Sequence, residues 1–259
     1  TSAVLPDNFL VGISQDGPKE FHDVNRIGAN GQGTFDETNH AIKLLEQFQV
    51  EYNILSVITR QMAKKPQTLF RYYEKRKFQY VQLIPCLKSL DFSPNDSLNK
   101  YDLTPHEYAA FLIDFFQLWY TALKNNQYIS IRQFDNLVYM LKGIPAEQCG
   151  MMGHCSIQWV IEADGSVYPC DFYVLDNFKL GNLKEDTFEA MIPSSAAREF
   201  LQFETPKNPL CKTCKVYPIC GGGCKRYRSF YTEEENYCPY QDFLYQVYPK
   251  LEEIARFVI

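Results

Sequence analysis

The distribution of cysteine constrains this chain more than any other feature of its sequence. There are nine cysteines, and all except Cys86 lie between residues 149 and 238. Their spacing is Cys149-x5-Cys155-x14-Cys170, then Cys211-x2-Cys214-x5-Cys220-x3-Cys224-x13-Cys238. A Cys-x2-Cys turn directs two sulfurs at one centre, as tetrahedral zinc and iron–sulfur cubes require. The pattern therefore predicts that these cysteines ligate metal or clusters, with disulfides as the less favoured alternative.

The spacing alone does not choose between zinc and iron–sulfur. The ligand types favour iron–sulfur, because all eight are cysteines and His154 is the only histidine nearby. Three glycines, Gly221 to Gly223, separate two of the cysteines. Glycine lets the backbone pass close to a bulky centre, and N–H groups there can donate to cluster sulfides. Zinc stays open as an alternative occupant of the cysteine sites.

The overall composition argues against several classes of protein. Hydrophobic residues make up 46% of the 259 residues, so a disordered chain is disfavoured. The net charge of −5 is a poor match for nucleic acid. No segment approaches the roughly 20 apolar residues of a membrane helix, and the first residues lack the features of a secretory signal. We therefore expect a cytoplasmic protein that binds neither nucleic acid nor membrane. The absence of an initiator Met predicts that the chain is a fragment.

The first half of the chain alternates between strand-like and helix-like segments. The predicted strands are 9–14, 51–59, 80–86 and 128–134, and the predicted helices are 34–49, 67–78, 104–126 and 135–143. In the third of these helices, Thr104 is the candidate N-cap and Pro105 the first helical residue. Such alternation implies a parallel sheet with crossover helices. Four units are too few for a closed eight-stranded barrel, so we expect an open sheet or part of a barrel.

The sequence pattern changes near residue 145. Segment 156–170 has two alternating runs around Asp164-Gly165, which predicts a β-hairpin. Short helices are predicted at 185–192 and 195–203, and a final helix at about 239–257. The predicted domains are therefore 1–145 and 146–259.

Two stretches and the cysteine pattern together resemble a known family. The cysteine pattern is similar to the SPASM extension of radical S-adenosylmethionine (SAM) enzymes. The stretches FLVGISQDGPKEFHDVNR and CSIQWVIEADGSVYPCDFYVLDNFKLGNL resemble anaerobic sulfatase-maturating enzymes, and the likeness runs over nearly the whole chain. It implies an α/β fold, in which the C-terminal part of a partial (β/α)6 radical SAM barrel precedes a Cys-rich α+β SPASM domain.

The resemblance also implies two auxiliary 4Fe–4S clusters. Carried over by position, one would be held by Cys149, Cys155, Cys170 and Cys224, and the other by Cys211, Cys214, Cys220 and Cys238. Cys224 would thus cross over to the first cluster, as the fourth Cys does in two-cluster ferredoxins.

One departure from the family pattern stands out. The family's radical cluster sits on a Cys-x3-Cys-x2-Cys loop, and these 259 residues contain no such motif. We therefore predict that this chain alone is inactive, and that SAM and a third 4Fe–4S cluster act in the intact protein.

The family reaction oxidises a Cys or Ser of a sulfatase to Cα-formylglycine. Asp171 directly follows Cys170, and the resemblance implies that it accepts the substrate proton; a capping role at a strand end is the alternative. Ser14, at the end of the first strand, is a candidate SAM ligand or a simple turn residue. Arg26 is a candidate partner of the SAM carboxylate, with a surface salt bridge as the alternative.

The implied partners are an unfolded sulfatase polypeptide and an electron donor or acceptor protein. Two further hypotheses stay open at this stage. One is another SPASM peptide-modifying enzyme, such as a thioether-forming one. The other, for this chain alone, is a non-catalytic module that binds zinc or a cluster.

Overall fold

The computed structural model describes residues 9–90 and 99–257, which form two compact units. The first contains the chain up to Ile144 together with the residues from Pro239 onward. The second is Pro145–Cys238. The sequence predicts a division after residue 145, with 239–259 in the second domain. In the structure the C-terminal helix groups with the first unit, because its apolar face packs on two helices there.

The regular elements follow the chain in a simple order. The strands are β1 Val11–Ser14, β2 Tyr52–Ile58, β3 Tyr80–Pro85, β4 Ser130–Ile131, β5 Val160–Ile161, β6 Ser166–Tyr168 and β7 Gly181–Asn182. The helices are α1 Lys19–Asn25, α2 Phe35–Gln47, α3 Arg60–Ala63, α4 Pro66–Arg76, α5 Pro105–Lys124, α6 Arg132–Leu141, α7 Phe188–Met191, α8 Ser195–Gln202, α9 Tyr217–Cys220, α10 Lys225–Tyr231 and α11 Pro239–Phe257.

The first unit is built on a four-stranded sheet. Its order is β1-β2-β3-β4 and every pairing is parallel, as the strand–helix alternation predicts. Ile54, Ile58 and Val81 are buried on one face. The neighbouring residues Leu55 and Gln82 remain partly exposed, so the other face of the sheet is open. The sheet therefore buries one face, and its carboxyl edge presents the residues that follow each strand.

Aromatic packing joins α5, α6 and α11 behind the sheet. The ring of Phe116 on α5 lies 5.1 Å from Phe134 and 6.2 Å from Phe243, measured between centroids. All three are fully buried. Such edge-to-face pairs add to the hydrophobic gain of burial. This contact explains why the last helix belongs with the first unit.

The fourth strand is shorter than its sequence predicts. The pattern predicts a strand over 128–134 and a helix over 135–143, whereas β4 has two residues and α6 begins at Arg132. The Ser130 hydroxyl donates to the Asp135 carboxylate at 2.5 Å, which folds the chain into the first helical turn. Arg132 donates to Gln82 on β3 at 2.9 Å.

The second unit contains a small antiparallel sheet in the order β5-β6-β7. The predicted hairpin at Asp164-Gly165 is present. The Asp164 carboxylate accepts hydrogen bonds from the backbone N–H and hydroxyl of Ser166, and Gly165 has a φ of 89°. The third strand, β7, has only two residues, which carry no readable alternation, so the sequence does not predict it. Within the described residues, no helix has the length and apolar character needed to cross a bilayer.

Substitution of Thr104 tests the predicted start of α5. Thr104 and Glu107 form a capping box: the Thr104 side chain accepts from the Glu107 N–H, and the Glu107 carboxylate accepts from the Thr104 N–H. We expect Thr104→Ala to lower the free energy of unfolding by about 1 kcal/mol, measured by urea denaturation. Thr121→Ala is the matched control, because Thr121 is exposed within the same helix, where alanine has the better helix propensity. Equal losses from the two variants would contradict the capping role.

Candidate iron–sulfur site

The second unit gathers eight cysteines into two groups. All nine cysteines of the chain are free thiols in the structure. Cys224 interacts electrostatically with Cys149 and Cys155, and Cys170 with Cys224. We call the set Cys149, Cys155, Cys170 and Cys224 the first quartet.

The other four cysteines form a second set. Cys220 interacts electrostatically with Cys211, Cys214 and Cys238. We call these four the second quartet. The structure thus brings together the same two sets that the family resemblance implies, although their ligation of clusters stays a prediction.

Short turns place the members of each quartet. In the first, Cys149 opens a 3-10 turn, Cys170 follows β6 and Cys224 is the N-cap of α10. In the second, Cys211 lies in the 3-10 turn Pro209–Lys212 and Cys220 ends α9. Each quartet therefore draws on segments that are distant in sequence.

Asn208 connects the segments of the second quartet. Its side-chain amide donates to the carbonyls of Tyr231 at 2.6 Å and Tyr237 at 2.8 Å, and its carbonyl accepts from the Leu210 N–H at 2.9 Å. These bonds hold the residue before Cys238 beside the turn that carries Cys211. Asn208 was not among the residues predicted from sequence, although an Asn directly before a Pro is a turn signal.

A close contact between glycines joins the two quartets. A Cβ on Gly153 would lie 2.8 Å from the Gly221 carbonyl oxygen, and one on Gly221 would lie 2.7 Å from the Gly153 Cα. Gly221, Gly222 and Gly223 all have positive φ. The segment between Cys149 and Cys155 therefore packs directly on the turn between Cys220 and Cys224, a place where only glycine fits without displacement of the backbone.

Burial makes these thiols unsuited to exist as isolated thiolates. It raises the pKa of Cys170 and of Cys220 to about 12, and that of Cys224 to about 11. Ligation requires the thiolate form of cysteine. A bound metal centre stabilises the negative charge of the thiolate, which water cannot do at a buried site. Gly222 N–H already donates to the Cys220 sulfur at 3.4 Å.

The Arg228 guanidinium has a buried donor that a cluster sulfide could accept from. The Nη2 of Arg228 donates to the Gly153 carbonyl at 2.8 Å. The Nε of the same guanidinium is buried and has no hydrogen-bond partner within the described residues. Buried donors are rarely left unpaired, and a cluster sulfide would provide an acceptor here.

The donor set of each quartet consists of cysteine alone. Within residues 9–90 and 99–257, no group of three or more His, Cys, Asp or Glu side chains is placed to hold a single metal ion. Four cysteines are a ligand set of 4Fe–4S clusters and also of structural zinc, so the residues present fit either group.

Aromatic side chains and a buried lysine border the first quartet. Tyr173, Phe178 and Phe200 form a buried cluster against which Cys155, Cys170 and Phe172 pack. The ammonium of Lys225 lies 4.6 Å from the centre of the Phe200 ring and donates to the Phe200 carbonyl. Burial lowers the pKa of Lys225, and the nearby cysteines oppose that effect.

Asp171 is exposed next to a member of the first quartet. Its Oδ1 accepts hydrogen bonds from the Cys170 thiol at 3.3 Å and from the Phe172 N–H at 3.0 Å. Both bonds use the same oxygen. Ligation would remove the Cys170 proton and with it one of these donors. The structure thus places the carboxylate beside the first quartet, and its role as proton acceptor stays a prediction.

Ser14 and Arg26 belong to the first unit. Ser14 ends β1 with its side chain exposed at the carboxyl edge of the sheet. Arg26 binds the buried carboxylate of Asp16 through Nε at 2.8 Å and Nη2 at 3.2 Å. Asp16 also accepts from the Val57 N–H at 2.8 Å, and its own N–H donates to Nδ1 of His22. The structure therefore gives Arg26 an ion pair that holds the loop after β1.

Comparison with known proteins agrees with this arrangement. The family model SPASM, described as an iron-sulfur cluster-binding domain, matches residues 149–215. The parallel sheet and the cysteine-rich unit thus define an α/β protein with a SPASM domain.

Curated relatives identify the family. A cysteine-type anaerobic sulfatase-maturating enzyme of Clostridium novyi is 41% identical over 85% of this chain and 58% of its own length. Another from Clostridium perfringens is 38% identical over 96% of this chain and 68% of its own length. A serine-type enzyme of Bacteroides thetaiotaomicron is 28% identical over 92% and 64%. The chain thus spans about three fifths to two thirds of the length of these relatives, and it belongs to the anaerobic sulfatase-maturating enzyme family.

Solved structures confirm the predicted fold class. "Native anSMEcpe with bound AdoMet" aligns with a TM-score of 0.85 at 36% identity, covering 96% of this chain and 69% of that one. "Native anSMEcpe with bound AdoMet and Cp18Cys peptide" aligns with a TM-score of 0.86 at 36% identity, with 97% and 70% covered.

Substitution of Gly153 tests the contact between the quartets. Gly153 and Gly143 have nearly equal φ values, 74° and 77°, but no atom lies within 4 Å of a Cβ built on Gly143. Both alanine variants lose about 1 kcal/mol to backbone strain. We expect Gly153→Ala to lower the thermal unfolding midpoint further, because the Gly221 backbone must move. Equal midpoints for the two variants would contradict a close-packed contact.

Proposed function

We propose that the full-length protein is a radical SAM enzyme that oxidises a Cys or Ser of a sulfatase to Cα-formylglycine. The observation that carries the proposal is the pair of cysteine quartets, in a chain 38–41% identical to cysteine-type sulfatase-maturating enzymes. In this proposal the present chain provides the auxiliary clusters and part of the barrel. The higher identity to the cysteine-type relatives than to the serine-type one, 28%, favours Cys as the substrate residue.

Each quartet would hold one 4Fe–4S cluster. Cys149, Cys155, Cys170 and Cys224 would bind the first, and Cys211, Cys214, Cys220 and Cys238 the second. When bound, such clusters supply one-electron acceptors. The buried thiols and the unpaired Nε of Arg228 support clusters over zinc.

Ser14 and Arg26 are the proposed contacts for AdoMet, the cofactor bound in the related solved structures. Ser14 has an exposed hydroxyl at the edge of the sheet where ligands of parallel α/β proteins bind. The ion pair with Asp16 uses Nε and Nη2 of Arg26. Since a guanidinium has five N–H donors, others remain for a cofactor carboxylate. Reductive cleavage of AdoMet would need a third cluster, on a Cys-x3-Cys-x2-Cys loop that these residues do not contain. This chain alone is therefore proposed to be inactive.

The proposed partners follow from the reaction class. The substrate is an unfolded sulfatase polypeptide, in line with the peptide bound in a related solved structure. An electron-transfer protein would remove the electrons of the oxidation. We propose a cytoplasmic location, with neither nucleic acid nor membrane as a partner.

Iron content and a peptide assay test the proposal. We expect the full-length protein, reconstituted anaerobically, to oxidise the Cys of a sulfatase-type peptide to an aldehyde, detected by mass spectrometry. Two auxiliary clusters contribute about eight iron atoms. Cys155→Ala and Cys211→Ala should each remove the iron of one cluster and leave the other. A thioether product would favour a different SPASM peptide maturase. Stoichiometric zinc without iron would favour the non-catalytic module.

Asp171→Asn tests the proposed proton acceptor. The amide keeps the size of the side chain and its bond to the Phe172 N–H, but it is not basic. We expect kcat to fall by about 10²–10⁴-fold, while iron content and AdoMet cleavage stay unchanged. Asp176→Asn is the control, because Asp176 is also exposed and begins the next 3-10 turn. A kcat equal to that of the control would leave Asp171 with a capping role only.

A further inference from the structure

Lys225 is a buried cation at the first quartet. It follows Cys224 directly as the first residue of α10, and only 5% of its surface is exposed. Its ammonium donates to the Phe200 carbonyl and lies 4.6 Å and 5.5 Å from the ring centres of Phe200 and Phe203. Lysine is rarely buried to this extent unless its charge is compensated.

The partners of this ammonium include no carboxylate. Among the described residues, Lys225 forms one hydrogen bond to a carbonyl and two contacts with aromatic faces. These partners are neutral and offset only part of the lost hydration, since burial of an unpaired charge costs several kcal/mol. Three thiols of the first quartet, Cys155, Cys170 and Cys224, act on its charge, as does the Arg228 guanidinium. Cys155 and Cys170 also pack against the aromatic cluster that contains Phe200. The lysine therefore lies beside the first quartet.

We propose that Lys225 is the counter-charge of the first auxiliary cluster and raises its reduction potential. The inference rests on the proposed function, because it requires a cluster at this quartet. One-electron reduction adds one negative charge to the cluster. A fixed cation at short range in a poorly solvated site stabilises the reduced form more than the oxidised form. The cluster thereby becomes a better acceptor for an electron that leaves the substrate.

The second quartet has a different electrostatic environment. The cations that act on Cys211 are Lys207, which is exposed, and Arg228, whose guanidinium binds the Gly153 carbonyl. Solvent screens the charge of an exposed lysine. The cysteines that act on Lys225 are members of the first quartet, so its effect should fall mainly on the first cluster.

Redox titration of the full-length protein tests this inference. The variants are made in a Cys211→Ala, Cys214→Ala background, which removes the second cluster. The midpoint of the first cluster is followed by electron paramagnetic resonance. We expect Lys225→Met to reduce the equilibrium constant for one-electron reduction at least tenfold, which corresponds to about 59 mV toward lower potential. Lys225→Arg keeps the charge, so its midpoint potential should stay close to that of the parent.

The matched control is Lys212→Met. Lys212 also directly follows a cysteine, but its side chain is exposed, so loss of its charge should leave the first midpoint unchanged. An unchanged midpoint in Lys225→Met would overturn the inference while the measured cluster upheld the proposed function. If Lys225→Met lost the cluster, its retention in Lys225→Arg would support the counter-charge role. Loss of the cluster in both variants would overturn that role and leave Lys225 as a packing residue only. Absence of a cluster from the parent protein would overturn both proposals.

Discussion

The second unit buries cysteine thiols without enough positive charge to stabilise their thiolates, and its ability to hold a metal centre depends on this. Its apolar clusters are small: one comprises Val167, Leu180, Met191 and Ala197, and another Tyr173, Phe178 and Phe200. Three thiols here have pKa values raised to about 11 or 12, so neutral sulfur is favoured until a positive centre binds. Cluster binding and folding of this unit should therefore be thermodynamically linked.

The two quartets share one turn of the backbone. Cys220 belongs to the second and Cys224 to the first, and the three residues between them are glycines with positive φ. These glycines form the turn between the two cysteines. The Gly153 segment packs against it, and Arg228 donates to the Gly153 carbonyl. The tight spacing that suggests one metal centre thus belongs to a turn that the two quartets share.

Local signals in the sequence predicted much of the fold. The Thr104-Pro105 start of α5 and the Asp164-Gly165 hairpin are specified by residues close to one another, and both are present. Features that depend on distant contacts were not predicted. The strand β4 ends early because Ser130 bonds to Asp135, and α11 joins the first unit because of contacts such as that between Phe116 and Phe243.

The candidate site shows the same division. Family resemblance implies the two sets of cysteines that lie together in the structure, and their ligation of clusters stays a prediction. The roles of Asn208 and Lys225 depend on partners such as Tyr231 and Phe200, which lie more than twenty residues away in sequence. An alternating pattern or a local motif carries no information about such partners. The basic residues after Cys224 (Lys225, Arg226 and Arg228) predict cations that offset the charge of the cysteine ligands. The structure adds that the Lys225 ammonium is buried against Phe200, which the sequence does not predict.

The buried carboxylate of Asp16 determines what Arg26 does in the loop after β1. Asp16 is 2% exposed and accepts from Arg26 and from the Val57 N–H on the neighbouring strand. A carboxylate in that position needs a cation, because no solvent reaches it. Arg26 therefore uses two of its donors to hold the loop, and only its other donors could bind a cofactor. Ser14 is exposed at the end of β1. The ion pair thus fixes the loop that follows Ser14, and loss of Arg26 should disturb this loop even where no cofactor is bound.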